Sequence, residues 1–345
     1  MARKQFLSFL LIFSLLFSCA SALAEADDDD DWDDNVDDAW EMEHPLHSGD
    51  YAYALLDDGT VEITSYGGAD TEIVIPDTLD GKPVTAIGEL AFHFSLSLTS
   101  VTIPDSVTCI SKRAFSCCYN LMSIALPSGL TAIEPGTFEL CNSLTSIAIP
   151  DSITTIAEDA FVSCKALQSF TLSPNHPYFF LADGALCRTV DNTLLFYPNA
   201  RENRTYRIPD GIAAISAYAF YDCDLLESVV IPDSITQIPE RAFYGCSALA
   251  SVSLPDSLTE IGIAAFSFCA ALTDIRLPAS ITEISAGLFS GCSSLATLEI
   301  PDSVTIIGGD AFVGCTSLTS MTIPDSVTEI GANPFPRSGL QSITL

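Results

Sequence analysis

Residues 226–248 read LESVVIPDSITQIPERAFYGCSA, and their pattern predicts the architecture of the chain. Apolar Val229 and Ile231 alternate with their neighbours, as in a short strand with one buried face. Pro232 lacks a backbone donor and ends this strand, and the ITQI that follows predicts a second, shorter strand. The remainder predicts a helical or 3-10 turn with these side chains inward: Ala242, Phe243 and Cys246. One such unit cannot bury its own apolar side, so units must stack.

The same pattern recurs along the chain of 345 residues. The repeated phenylalanines are Phe92, Phe115, Phe138, Phe161, Phe220, Phe243, Phe266, Phe289, Phe312 and Phe335. Every gap is 23 residues except one of 59, and the prolines that end the strands keep the same 23-residue spacing within each block. Two independent markers with one period predict a repeat solenoid, mainly β with short helical or 3-10 turns.

The pattern resembles the leucine-rich repeats of the BspA type, which occur on bacterial and some protist surface proteins. The resemblance implies a leucine-rich repeat stack with an N-terminal β cap over residues 49–84 and repeat blocks over 85–172 and 205–345. The cap is also indicated by alternating segments on either side of an Asp58-Gly59 turn, a hairpin signal. Such a cap would protect the edge of the first repeat.

The 59-residue gap contains an insertion, residues 173–204, which is predicted to form a β hairpin. One interpretation is a structural splice that lets the solenoid continue. The alternative is a contact site for a partner, because aromatic side chains are common in binding hot spots. The aromatic candidates are Tyr178, Phe179, Phe180, Phe196 and Tyr197.

The chain contains 12 cysteines, and eight of them lie three residues after a repeat phenylalanine. These eight are Cys118, Cys141, Cys164, Cys223, Cys246, Cys269, Cys292 and Cys315. Stacked equivalents would lie about 4.8 Å apart with parallel side chains, whereas disulfide Cβ atoms lie about 3.8 Å apart and lean together. We therefore predict a ladder of buried thiols acting as small apolar filler, with Cys109 and Cys117 more exposed.

The N-terminus predicts export. Residues 1–24 have a basic start, an apolar run too short for a stable membrane span and an Ala22-Leu23-Ala24 cleavage signal, and we expect cleavage after Ala24. In an alternative interpretation, Cys19 lies in a lipoprotein processing site and carries a lipid, which would be the only attachment to a membrane. Residues 25–48 are predicted to be an acidic, solvated tail.

Charge and motifs restrict the function. The net charge is −32, which argues against nucleic-acid binding because phosphates would be repelled. The sequence contains no H-E-x-x-H, G-x-S-x-G or phosphate-binding loop, so we predict neither an enzyme nor a cofactor. A repeated aspartate after the proline predicts turn capping, with weak divalent-cation binding as the alternative. The outward strand positions are mostly small Ser and Thr, and the charged exceptions Arg276 and Glu299 are candidate partner contacts.

We therefore expect a secreted or cell-surface protein that mediates protein–protein interaction. Adhesion to host or matrix glycoproteins is what the resemblance implies, since known relatives of the BspA type bind host matrix proteins. The alternative is a non-catalytic scaffold or spacer of the cell envelope without a dedicated ligand. The sequence indicates no oligomeric state, and fold alone does not define function.

Overall fold

The structure is a computed structural model, and it describes residues 45–344. The predicted signal peptide, the lipid site at Cys19 and the acidic residues 25–43 lie outside the described residues. Within them the strands are, in chain order, β1 (Leu46–Ser48), β2 (Tyr51–Leu55), β3 (Val61–Tyr66), β4 (Glu72–Val74), β5 (Thr78–Leu79), β6 (Lys82–Ile87), β7 (Ser100–Thr102), β8 (Cys109–Ile110), β9 (Ser123–Ala125), β10 (Ala132–Ile133), β11 (Ser146–Ala148), β12 (Thr155–Ile156), β13 (Ser169–Thr171), β14 (Phe179–Ala182), β15 (Ala185–Arg188), β16 (Thr193–Phe196), β17 (Thr205–Arg207), β18 (Ala214–Ile215), β19 (Ser228–Val230), β20 (Gln237–Ile238), β21 (Ser251–Ser253), β22 (Glu260–Ile261), β23 (Glu283–Ile284), β24 (Ile306–Ile307), β25 (Ser320–Thr322), β26 (Glu329–Ile330) and β27 (Ser342–Thr344). The predicted solenoid, mainly β, is confirmed.

Each regular repeat contributes one strand of three residues and one of two, and both pair in parallel with their equivalents 23 residues away. In the repeat that begins at Leu226, β19 pairs with β21 and β20 pairs with β22. Val229 is 1% exposed while its neighbours in β19 face outward, as the alternation predicts. Between the two strands, the Ile235 amide donates to the Pro232 carbonyl at 3.0 Å and closes a tight turn. Pro232 therefore ends the first strand, and the tight turn that follows leads directly into the second, shorter strand.

The predicted helical turn is a chain of tight turns whose amides donate three residues back, the 3-10 spacing. In the same repeat, the Tyr244 amide donates to the Arg241 carbonyl at 3.2 Å. The Phe243 amide donates instead to the Ala265 carbonyl of the next repeat at 2.9 Å. The turns thus form a third ladder of backbone hydrogen bonds between repeats. These bonds satisfy amide donors that have no partner within their own repeat.

The repeat phenylalanines form one stack inside each repeat block. Successive rings within a block are 4.6–6.2 Å apart, with interplanar angles of 9–21°. From Phe92 to Phe312 every ring is buried, with Phe161 the most accessible at 3%. Because the repeats are in register, the phenylalanine of each repeat packs on that of the next.

The N-terminal cap begins slightly earlier than predicted. Strands β1, β2 and β3 form an antiparallel meander, and β3 pairs in parallel with β6, which pairs with β8 of the first repeats. Since β1 covers Leu46–Ser48, these residues belong to the cap sheet and not to the predicted tail, whose boundary at residue 48 is wrong. The Tyr66 ring lies 5.3 Å from Phe92 and starts the aromatic stack.

The insertion is a β hairpin, β14 and β15, extended by an antiparallel third strand, β16. Strand β16 then pairs in parallel with β18 of the second block. Side chains of the insertion are divided between two cores: Leu195 and Phe196 pack with the first block, whereas Leu194 and Tyr197 pack with the second. The insertion therefore joins the two repeat blocks through both of its faces.

Candidate functional site

The insertion aromatics do not form the exposed cluster that was predicted. Tyr178 is exposed at 44% and Phe180 is half-buried, but Phe179, Phe196 and Tyr197 are only 2–5% exposed. The expectation that all five side chains reach a partner is therefore wrong for the last three. The physical reason is that the insertion lies between two repeat blocks, so both faces of its strands are covered.

A shallow groove of about 600 Å³ runs beside the hairpin, lined by Phe180, Leu181 and Pro174 among others. His176 fixes one wall: its Nε2 lies 2.9 Å from the Pro150 carbonyl oxygen. The Nδ1 atom of the same ring accepts the Phe179 amide at 3.2 Å, so the ring orients the start of β14. The groove therefore has a rigid wall and an apolar floor.

Arg276 lies at one end of a second groove of about 460 Å³, and Arg207 lies at the other. Each guanidinium pairs with an aspartate of the repeated row, Arg207 with Asp210 at 3.0 Å and Arg276 with Asp256 at 3.7 Å. The Arg276 side chain is 86% exposed, so solvent screens its pair and leaves the guanidinium accessible to a partner.

Glu299 lines a third groove of about 630 Å³ with Thr297 and Thr322. The sequence pattern places residues 274–276 and 297–299 at outward strand positions. In the structure these two segments occupy the equivalent place in their repeats without forming regular strands. The three-residue ladder is therefore interrupted between β21 and β25, where Arg276 and Glu299 lie.

Two of the repeated aspartates accept hydrogen bonds from a serine in the following segment of the chain, whereas Asp210 and Asp256 pair with arginines. Asp105 accepts both the Ser128 amide and the Ser128 hydroxyl at 2.9 Å. These bonds, the backbone one first, hold the pKa of the Asp105 carboxyl below its ordinary value. Asp151 likewise accepts the Ser173 hydroxyl at 2.6 Å. Within residues 45–344, no three His, Cys, Asp or Glu side chains are grouped closely enough to hold a metal ion.

The eight ladder cysteines are all buried and carry free thiols. Each thiol donates a hydrogen bond to the carbonyl of the repeat phenylalanine, or its equivalent, in the preceding repeat, with Sγ–O distances of 3.0–3.8 Å. The thiols are therefore both apolar filler and donors to buried carbonyls. Cys109 is exposed as expected, but Cys117 is 8% exposed, so its predicted exposure is wrong.

Burial makes these thiols unreactive. Desolvation raises the pKa of Cys118 and of Cys164 from the ordinary 9.0 to about 12. We predict that thiol reagents label Cys109 in the folded protein and reach ten further cysteines only on unfolding. These ten are Cys117, Cys118, Cys141, Cys164, Cys187, Cys223, Cys246, Cys269, Cys292 and Cys315. A thiol titration with and without denaturant checks this, and rapid labelling of the ladder in the folded state would contradict it.

The same shifts predict a loss of stability in alkali. The folded state holds the thiol protons of Cys118 and Cys164 more tightly than the unfolded state, in which the thiol pKa is near the ordinary value of 9.0. The stabilisation is therefore complete below about pH 9 and is lost as pH rises toward about 12. Melting temperatures measured between neutral and strongly alkaline pH should be level at first and then fall. A level curve throughout would contradict the prediction.

Two features escaped the sequence reasoning. Tyr197 continues the phenylalanine stack into the insertion, with its ring 5.3 Å from that of Phe220. The signal was present, because Tyr197 lies one 23-residue period before Phe220. The other feature is a set of aromatic side chains on the outside of the turns in the second block, at positions where the repeat pattern specifies no residue type.

The fold and the buried ladders define a class, the solenoid proteins that expose long repeated faces and keep their cores for packing. The chain belongs to the family of the BspA type leucine rich repeat region. The family model matches residues 69–180 and 213–344, more than half of the chain, in six copies. No curated protein sequence is similar enough to match the chain.

Several solved structures are similar. A leucine-rich repeat protein from Eubacterium ventriosum is 23% identical, with a TM-score of 0.67 over 85% of this chain and 94% of that one. The pneumococcal vaccine antigen PcpA is 15% identical, with a TM-score of 0.51 over 88% and 98%. A leucine rich cell surface protein from Faecalibacterium prausnitzii is 29% identical, with a TM-score of 0.49 over 87% and 94%. The first two show the shared fold.

Within residues 45–344, no helix is long and apolar enough to cross a membrane.

Proposed function

We propose that this chain is a secreted or cell-surface protein whose solenoid mediates protein–protein interaction, by adhesion to host or matrix glycoproteins. The observation that carries the proposal is the combination of a rigid repeat stack with three shallow, open grooves along it. Such a surface can make many weak contacts at once, and attachment to a surface multiplies them into avidity. Membership of the BspA type family supports the same function.

The exposed members of the predicted contact set are the residues to test in this function. Tyr178 and Phe180 lie beside the hairpin, and Arg276 and Glu299 lie in the two grooves of the second block. All four are accessible at least in part, but Phe180 also packs against the buried core, which leaves Tyr178, Arg276 and Glu299 as the residues outside it. Their replacement should therefore change binding more than folding.

The test is solid-phase binding of the chain from residue 25 to matrix proteins, mucins and glycans, at low and physiological salt. We expect saturable binding to one class that survives physiological salt. Tyr178→Ala should weaken it, whereas the matched change Val190→Ala, at a side chain 85% exposed on the same insertion, should not. Binding to no member of the panel would reject adhesion as the function.

The envelope scaffold remains the second candidate because of the strand face. Most of its outward side chains are small, as in Ser100, Ser123 and Ser146, and few are of the Tyr, Trp or Arg type that forms strong hot spots. A scaffold without a dedicated ligand would bind no panel member and would lose nothing on groove substitutions.

A further inference from the structure

An aromatic ridge runs along the outside of the turns in three successive repeats of the second block. It is formed by Tyr218, Tyr221, Arg241, Tyr244 and Phe268. The Tyr221 and Tyr244 rings are stacked 4.8 Å apart at 11°, and Phe268 meets Tyr244 edge-on at 5.3 Å. None of these side chains belongs to the buried cluster of the described chain. The solenoid core therefore does not account for them.

The backbone of the ridge is strained where glycine would be relaxed. Tyr218, Arg241 and Phe268 have left-handed φ values of 61°, 53° and 59°. The same left-handed φ recurs at these two positions in most repeats, with glycine in some, such as Gly287 and Gly291, and with other residues elsewhere, such as Arg113, Leu140 and Ala264. A residue with a Cβ costs about 1–2 kcal/mol in this conformation, whereas glycine adopts it freely. The left-handed turn is therefore a general feature of the repeat, and the aromatic contacts and the exposure distinguish the ridge.

The ridge also has the chemistry of a binding hot spot. Phe268 is 50% exposed, although it is a large apolar side chain. The Arg241 guanidinium is held in place by a 3.2 Å hydrogen bond to the Tyr218 hydroxyl and by an ion pair with Glu240 at 3.1 Å. Tyrosine and arginine that are already ordered lose little entropy when a partner docks, and they are enriched in hot spots.

Charge selects the partner. Residues 205–345 contain 15 acidic side chains and four arginines, and the whole chain has a net charge of −32. A second copy of this chain would carry the same charge and would be repelled, whereas a basic partner would be attracted. Glu240, whose side chain is 47% exposed, lies beside the ridge but is already paired with Arg241, so the attraction comes from the second block as a whole.

We propose that the aromatic ridge is a docking surface for a protein segment rich in lysine and arginine. The aliphatic stems of that segment would pack on Tyr244 and Phe268, and its charges would face the acidic second block. This inference rests on the proposed function, since it names a surface and a partner chemistry for a protein-binding solenoid.

The test uses the full chain and a short labelled peptide of alternating lysine, arginine and serine, with a glutamate–serine peptide for comparison. The double variant Tyr244→Ser, Phe268→Gly should raise the Kd for the basic peptide about tenfold or more, about 1.4 kcal/mol. The matched control is Phe94→Gly, because Phe94 is 51% exposed with φ 57° at the equivalent position in the first block. This control should leave the Kd within about twofold.

Folding of the variants is measured separately by urea denaturation. Phe268→Gly removes left-handed strain and loses a half-exposed contact, so its unfolding free energy should stay within about 1 kcal/mol of the parent. Equal affinity of parent and double variant for the basic peptide would overturn the proposal, since charge alone would then explain binding. Equal binding of the glutamate peptide would overturn it as well.

The outcomes separate this inference from the proposed function. If a matrix protein or mucin binds equally to parent and double variant, and the basic peptide does too, adhesion stands and the ridge is rejected. If no panel member binds but the basic peptide binds through the ridge, the docking surface stands and adhesion is rejected.

Discussion

Replacing Phe243 by alanine is expected to lower the free energy of unfolding by about 3–5 kcal/mol. The Phe243 ring is fully buried and lies between those of Phe220 and Phe266, at 4.6 and 5.3 Å. Removal leaves a cavity that the two neighbours cannot close, because each is held in its own repeat by backbone ladders on both sides. In a solenoid each repeat contacts only its neighbours, so the loss weakens two interfaces.

Urea denaturation followed by circular dichroism measures this effect. The matched control is Phe94→Ala, which removes the same atoms from a ring that is 51% exposed and outside the stack. It should cost less than about 1 kcal/mol. Similar costs for the two variants would show that the aromatic stack does not carry the stability assigned to it.

The double variant Phe196→Ala, Tyr197→Ala is expected to separate the unfolding of the two repeat blocks. Phe196 meets Phe161 of the first block edge-on at 5.2 Å, whereas Tyr197 stacks on Phe220 of the second. Both side chains are at most 5% exposed, so each truncation should cost about 3–5 kcal/mol. Without these two side chains, the insertion loses its main packing contact with each core, and the two blocks unfold less cooperatively.

Differential scanning calorimetry is the measurement. The parent chain should unfold in one transition and the double variant in two. Val190→Ala, an exposed change in the same insertion, should leave the single transition in place. A double variant that still unfolds in one transition, only at lower temperature, would mean that contacts outside the insertion couple the blocks.

Two such contacts are present. The Ser163 hydroxyl donates to Asp222 at 2.7 Å, and the Lys165 ammonium pairs with Asp224 at 3.3 Å. Each pair is 59 residues apart and bridges the insertion directly. The Lys165 pair is about half exposed and contributes little, so we assign most of the coupling to the buried aromatic side chains.

The repeated part of the chain could be predicted closely because every repeat has the same neighbours. The burial of Val229, Phe243 and Cys246 follows from period and alternation alone, since the environment of one repeat is copied from the next. The insertion has no such copy. The alternation of its strands shows that each strand has two faces. Whether Phe179, Phe196 and Tyr197 are buried depends on what covers each face, and the sequence does not indicate this.

The candidate binding surfaces likewise depend on the tertiary structure more than on the repeat pattern. A glycine or a phenylalanine at the position of Phe268 fits the repeat pattern equally well, and only the left-handed φ of 59° marks the aromatic as an energetic cost. The sequence pattern was sufficient for the period, the parallel stack, the phenylalanine core and the thiol ladder, because these depend on local alternation and stacking. The burial of the insertion aromatics, the interruption of the strand ladder near Arg276 and Glu299, and the aromatic ridge depend on which surfaces meet in three dimensions, and packing alone determined them.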